Sequence, residues 1–179
     1  MNEAKLQNLK VLAMDVDGVL TDGGITMSGE GELTKRFNVK DGLGLSVAQR
    51  QGLKIAFITG RSSTILRRRA QELNVTLLFE NVKDKGAVLR QLAAAEQIPL
   101  TEIGFIGDDL IDLPALQIAG VSFAPQDAVD EVVSSVDYTA TKPGGYGAVR
   151  EIVELILKAK GLWQAVVAGY EIMGQGDRQ

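Results

Sequence analysis

Short, continuous apolar runs alternate with longer amphipathic ones along this 179-residue chain, and that alternation constrains its fold most. Residues 10–14 (KVLAM), 53–59 (LKIAFIT), 76–79 (TLLF), 103–106 (IGFI) and, more weakly, 120–123 (GVSF) read as strands. They are apolar throughout, as strands covered on both faces must be. Helix-like stretches lie between them at about 42–51, 63–73, 84–97, 112–119 and 126–134, and a stronger one follows at 146–159. Leu66, Ala70 and Leu73 fall at helical spacing in the second; Val88, Leu89, Leu92 and Ala93 make a stripe in the third. The pattern predicts an α/β fold: a Rossmann-like parallel sheet sandwiched by helices, in one domain over residues 1–179. A tail from about 160 to 179 ends in GQGDRQ, and its last ten or so residues read as frayed.

One stretch interrupts the alternation. GGITMSGEGELTKRFNV (23–39) has two strand-like arms around the turn SGEGE, with Ile25 and Met27 alternating on one arm and Leu33, Lys35, Phe37 and Val39 on the other. This predicts a β-hairpin protruding after the first strand. A lone two-stranded ribbon is marginal in water and its edges need cover, so it should either pack on its own domain or pair with another copy of the chain, and pairing is the expectation.

Composition removes whole classes of chemistry. There is no histidine and no cysteine, which excludes a histidine base, thiolate nucleophiles and zinc sites built on imidazole or sulfur. Any metal would be a hard cation on oxygen ligands. A net charge of −4 and 5% aromatic residues argue against nucleic acid as a partner. No apolar run is long enough to span a membrane, and MNEAKLQNLK lacks a signal-peptide core, so a cytoplasmic setting is expected.

Four polar features fall at the ends of four expected strands: Asp15-Val16-Asp17, Thr59-Gly60-Arg61, Lys85 and Gly107-Asp108-Asp109. In parallel α/β sheets that rim is where ligands bind. Taken singly, each has an ordinary role: Asp109 or Asp112 as a helix cap, Thr59 in a turn, Lys85 on a solvated helix face. An EF-hand reading of Asp15 and Asp17 fails, because glycine comes fourth rather than sixth and a strand precedes. Together the features describe a phosphate site. Asp15, Asp17 and Asp108 would repel one another unless a divalent cation such as Mg²⁺ lay between them. Thr59 offers a hydroxyl, Lys85 a point charge and Arg61 a fork of donors to a phosphoryl group. Without histidine or cysteine, the nucleophile would be a carboxylate.

DVDGVLTD, ITGR, the lysine of VKDKG and GDDLID resemble the four ordered motifs of the haloacid dehalogenase-like phosphatase superfamily. FNVKDGLG (37–44), GRSSTILRRRA (60–70) and GGYGAVRE (144–151) extend the resemblance to its capless branch, which contains the 3-deoxy-D-manno-octulosonate 8-phosphate phosphatases. The resemblance implies a Mg²⁺-dependent homotetramer whose hairpins cluster between subunits, each subunit partly roofing its neighbour's site, at work in lipopolysaccharide synthesis. It implies Asp15 as nucleophile and Asp17 as general acid, then base. Mg²⁺ would sit on Asp15, Asp108 and the main-chain carbonyl of Asp17. Thr59 and Lys85 would hold the phosphate, and Asn38, Val39, Lys40, Asp41, Gly42, Gly60, Arg61 and Arg69 would contact the substrate. Asp109 and Asp112 are expected to orient metal waters or Lys85, with capping as the alternative. Tyr146 departs from the pattern, which usually has a basic residue there; this leaves room for a related substrate such as a nonulosonic acid 9-phosphate. A non-catalytic phosphatase-like regulatory domain is a further alternative. A response-regulator receiver uses similar parts in a different order.

Overall fold

A computed structural model of the chain describes residues 3–29 and 31–176, together with all side chains in those spans except those of residues 32, 33 and 173–176. In chain order the helices are α1 (Glu3–Gln7), α2 (Val39–Arg50), α3 (Thr64–Glu72), α4 (Lys85–Glu96), α5 (Leu113–Leu116), α6 (Asp130–Val133), α7 (Ala148–Ala159) and α8 (Trp163–Gly176). The strands are β1 (Val11–Met14), β2 (Thr26–Ser28), β3 (Gly31–Thr34), β4 (Lys54–Ile58), β5 (Leu77–Phe79), β6 (Ile103–Ile106), β7 (Val121–Ala124) and β8 (Tyr138–Thr139). Six strands form one sheet in the order β5-β4-β1-β6-β7-β8, and every neighbouring pair is parallel. Strand order reverses at β1, so the loops after β1, β4 and β6 face one crevice.

The sheet is covered on both faces, which explains its uninterrupted apolar strands. Alternate residues of β1 point to opposite sides. Leu12 and Met14 join Ile55, Phe57 and Phe123 beneath α2, α3 and α7, through Leu45, Ala48, Leu66, Ala70, Ile152 and Ile156. Val11 and Ala13 join Ala56, Ile58 and Phe105 beneath α4, α5 and α6, through Leu89, Leu92, Ala115 and Val132. Side-chain caps set the helix starts: Asn38 accepts from Lys40 N–H, Ser63 from Leu66 N–H and Asp84 from Ala87 N–H.

Several boundaries differ from the sequence reading. The hairpin's second arm ends at Thr34, and Val39 opens α2, because Asn38 caps a helix there. Glu30, in the expected turn, lies outside the described residues. The helix expected at 112–119 is a 3₁₀ turn at Leu110–Asp112 running into α5, and that expected at 126–134 is the single turn of α6. Much of the expected frayed tail belongs to α8; residues 177–179 lie outside the described part. The sequence reading missed α1 and β8. Among the described residues there is no cap domain; the hairpin β2–β3 is what separates β1 from α2.

Candidate active site

The backbone leaves β1 at Asp15, whose N–H still bonds to Ile106 C=O at 3.0 Å, so this carboxylate starts from the rigid centre of the sheet. The chain then turns sharply. Gly18 adopts φ +91°, and a Cβ there would lie 2.0 Å from Asp108 Oδ2, so only glycine lets the β1 loop approach the β6 loop this closely. Gly144 seals the turn from outside: a Cβ on it would lie 1.7 Å from Gly18 C=O.

Lys85 opens α4, where the helix dipole disfavours a cation, and it is buried. Carboxylates repay this. Its Nζ lies 2.9 Å from Asp15 Oδ1 and 2.5 Å from Asp112 Oδ1. Asp112 Oδ2 accepts from the N–H groups of Asp108 and Asp109, at 2.9 and 3.2 Å. Asp112 therefore both holds Lys85 and fixes the β6 loop, while Asp109 caps the 3₁₀ turn through Leu110 N–H. Asp112 thus contacts Lys85 and, together with Asp109, closes a capping box on the turn.

Asp15, Asp108 and Asp112 each offer an oxygen within 4.8 Å of the others. Burial, then the Asp112 charge, pushes the Asp15 carboxyl up to about 6 against the opposing pull of Lys85. Burial, then the charges of Asp15 and Asp112, pushes Asp108 up to about 8. Lys85 is raised: burial would lower it, but Asp15 and Asp112 outweigh that. Asp108 Oδ1 is buried without a hydrogen-bond partner among the described residues. With three carboxylates against one ammonium, the fully ionised cluster carries two surplus negative charges, and it has an orphaned oxygen. Those features fit a divalent, oxygen-seeking cation.

Above this cluster opens a cleft of about 250 Å³ lined by Asp15, Asp17, Gly23, Thr59, Gly60, Arg61, Asp108, Asp109 and Ile111. Thr59 is held at both ends of its peptide, by Phe79 C=O and Val82 N–H, and its hydroxyl accepts from Arg61 N–H at 3.2 Å. Arg61 Nε stands 3.9 Å from Asp17 Oδ2, and Lys35 donates to Asp17 Oδ1.

The remaining sequence candidates gather elsewhere. Asn38 caps α2 and donates to Gly145 C=O at 3.2 Å, while Val39 and Lys40 stand exposed. Asp41 is buried and accepts from Gly147 and Arg150 N–H, so its carboxylate caps α7. Gly42 lies under Arg69, whose guanidinium stacks 5.6 Å from the Phe37 ring and reaches Glu72 at 3.4 Å. None of these lines the cleft within one chain. Arg67 pairs with Glu80 and Arg68 with Glu72.

The haloacid dehalogenase-like hydrolase family matches residues 78–152. The 3-deoxy-D-manno-octulosonate 8-phosphate phosphatase of Haemophilus influenzae is 40% identical over 159 residues, spanning 89% of this chain and 88% of that protein. The chain belongs to the 3-deoxy-D-manno-octulosonate 8-phosphate phosphatase family. The Escherichia coli K12 phosphatase is 39% identical over 158 residues, covering 88% of this chain and 84% of its own. A crystal structure of the Moraxella catarrhalis phosphatase, in complex with magnesium ion, phosphate ion and KDO, superposes with a TM-score of 0.91 at 42% identity, covering 94% of this chain and 97% of that one. Lys35, which contacts Asp17, is the functional candidate that sequence reasoning missed. Its signal was a lysine at the inward parity of a hairpin arm, between Leu33 and Phe37.

Proposed function

We propose that this chain is a Mg²⁺-dependent phosphomonoester hydrolase that converts 3-deoxy-D-manno-octulosonate 8-phosphate to 3-deoxy-D-manno-octulosonate and phosphate. The observation that carries the reading is the cluster of buried Asp15, Lys85 and Asp112 with half-buried Asp108, at the floor of a cleft with Thr59 and Arg61 at its wall. The kinship with the Moraxella catarrhalis enzyme, which holds magnesium, phosphate and KDO, agrees with it.

Asp15 and Asp108 would hold Mg²⁺ through carboxylate oxygens, and Asp17 through its main-chain carbonyl. Bound there, the ion offsets the repulsion between Asp15 and a dianionic phosphate and polarises the phosphoryl oxygens. The Thr59 hydroxyl, the Gly60–Arg61 backbone and Lys85 hold the phosphate. The Asp15 carboxylate attacks phosphorus in line, the bond from phosphorus to the sugar oxygen breaks, and Asp17 gives that oxygen its proton. Water then attacks the phosphorus of the aspartyl-phosphate and gives a proton to Asp17. The bond to Asp15 breaks, releasing phosphate and restoring both side chains.

Asn38, Val39, Lys40 and Arg69 would serve the sugar-acid end of a substrate in a neighbouring subunit's cleft, within a homotetramer assembled through the hairpin. Asp41, whose buried carboxylate caps α7, and Gly42, buried under Arg69, would support that surface from behind rather than touch the substrate. Val39 is 82% exposed and Met27 60%, apolar surface that an interface would cover. Sedimentation at micromolar concentration is expected to show the tetramer; a monomer alone would overturn the assembly. The enzyme would work in the cytoplasm, supplying the sugar acid of lipopolysaccharide.

Tyr146 favours one second reading. It stands where a basic residue is usual, and Arg36 donates to its hydroxyl and stacks over its ring. A nonulosonic acid 9-phosphate would then be the substrate. A phosphate-release screen over phosphorylated sugar acids, with Mg²⁺ and with EDTA, decides. The 8-phosphate is expected to rank first and to need Mg²⁺. A 9-phosphate at the top would select the second reading, and no release from any ester would overturn both.

A further inference from the structure

We propose that Lys35 is a positioning residue for the proton-transfer group Asp17: the root of the hairpin brings an ammonium that fixes the Asp17 carboxylate under the leaving oxygen. This rests on reading Asp17 as the acid of the phosphatase reaction, and it assigns work to a residue outside all four motifs. Lys35 follows β3 directly, and its neighbours Thr34 and Arg36 are exposed. A hairpin lysine seeking solvent would extend as they do. Instead its side chain is only 2% exposed and donates to Asp17 Oδ1. Burying an ammonium is costly unless an anion meets it, so the contact is a built one.

The other Asp17 oxygen lies 3.9 Å from Arg61 Nε, on the loop after β4. Asp17 is thus held from two sides, by the hairpin and by the phosphate-binding loop. An acid must lie within hydrogen-bond reach of the oxygen it protonates, and a displacement of about 1 Å can cost on the order of 100-fold. Asp17 sits half-buried on the turn after β1, and Lys35 restricts the torsions of its side chain. The pairing also ties the hairpin to the chemistry, so an assembly that grips the hairpin grips Asp17 as well.

A pair that merely anchored the hairpin would slow all substrates alike. A positioning residue would show leaving-group dependence, because p-nitrophenolate departs without a proton and a sugar alkoxide does not. The measurement is kcat/KM, which closes at alcohol departure, for 3-deoxy-D-manno-octulosonate 8-phosphate and for p-nitrophenyl phosphate. Lys35→Met is expected to lower the ratio of the first to the second by at least about tenfold. Lys35→Arg should recover part of it. In an Asp17→Asn background, Lys35→Met should change the ratio by less than about twofold, since the group it positions is gone. Should the methionine variant fail to fold, Lys35→Gln is read in the same assays. Equal losses on both esters, or an undiminished loss in the Asp17→Asn background, would overturn the proposal. Wild-type enzyme that releases no phosphate from either ester with Mg²⁺ would instead overturn the phosphatase reading beneath it.

Discussion

Two polar clusters differ in their access to water: one lies under the cleft, the other at the exposed root of the hairpin. Asp15, Lys85, Asp112 and Asp108 are packed under the β1 and β6 loops, and burial shifts Asp15 to about 6 and Asp108 to about 8. Arg36 meets Asp22 at 2.7 Å and stacks over Tyr146, with comparable spacing but in solvent. Water screens the second cluster, so its geometry is cheap to change; the first is locked, because each member is costly without the others. On the proposed reading the buried cluster would carry the reaction, and the exposed one would be where substrate preference can drift. Substitutions should separate the two clearly.

The largest expected effect is in the buried cluster. Asp15→Asn should lower turnover by at least about 10³-fold, since no amide can replace the nucleophile; a variant retaining more than about a few per cent of the wild-type rate would break the assignment. Asp112→Ala should come next. It removes a Lys85 partner and leaves two N–H groups unpaired, so urea unfolding is expected to show a loss of about 3–5 kcal/mol, with activity falling as well. A loss under about 1 kcal/mol would mean that the cluster is less interlocked than its hydrogen bonds indicate.

The third effect is proton linkage. Asp15 and Asp108 titrate higher in the folded chain than their ordinary value of 3.8, so the metal-free fold binds extra protons. The stability those protons add is fully present below about pH 4, and is lost as pH rises through about 6 and then about 8. In EDTA the thermal midpoint should therefore fall between about pH 5.5 and pH 8.5, and Mg²⁺ should raise it more at the upper end, with proton release on binding. A Mg²⁺ effect independent of pH would contradict this. The smallest effect belongs to the wet cluster. Arg36→Ala should leave the thermal midpoint nearly unchanged and raise KM for the sugar-acid ester by a few-fold, with p-nitrophenyl phosphate unaffected. A loss comparable with that of Asp112→Ala would erase the distinction between the clusters.

Much of this architecture was legible in the chain because burial on both faces writes itself as continuous apolar strands. Val11–Met14, Lys54–Ile58 and Ile103–Ile106 lie within one residue of where the sequence places them. The convergence of Asp15, Thr59, Lys85 and Asp108 follows from strand order once the sheet is parallel. What was missed lacked a periodic signal. β8 is two residues long, and α1 is five. Asp41 reads from FNVKDGLG as a substrate contact, but tertiary packing sets it against the N–H groups of Gly147 and Arg150, more than a hundred residues away. Lys35 looked like one member of a hairpin alternation, and its inward turn toward Asp17 depends on the chain folding back over the β1 loop.

On the proposed mechanism the carboxylate at the end of β1 briefly carries the phosphoryl group. A single turnover of ³²P-labelled 3-deoxy-D-manno-octulosonate 8-phosphate with Mg²⁺, quenched in acid and reduced with borohydride, tests it directly. Acid-stable label is expected on the protein, removed by reduction as Asp15 becomes homoserine, with no label on the Asp15→Asn protein. Turnover that never places label on the protein, or that places it on another residue, would contradict it.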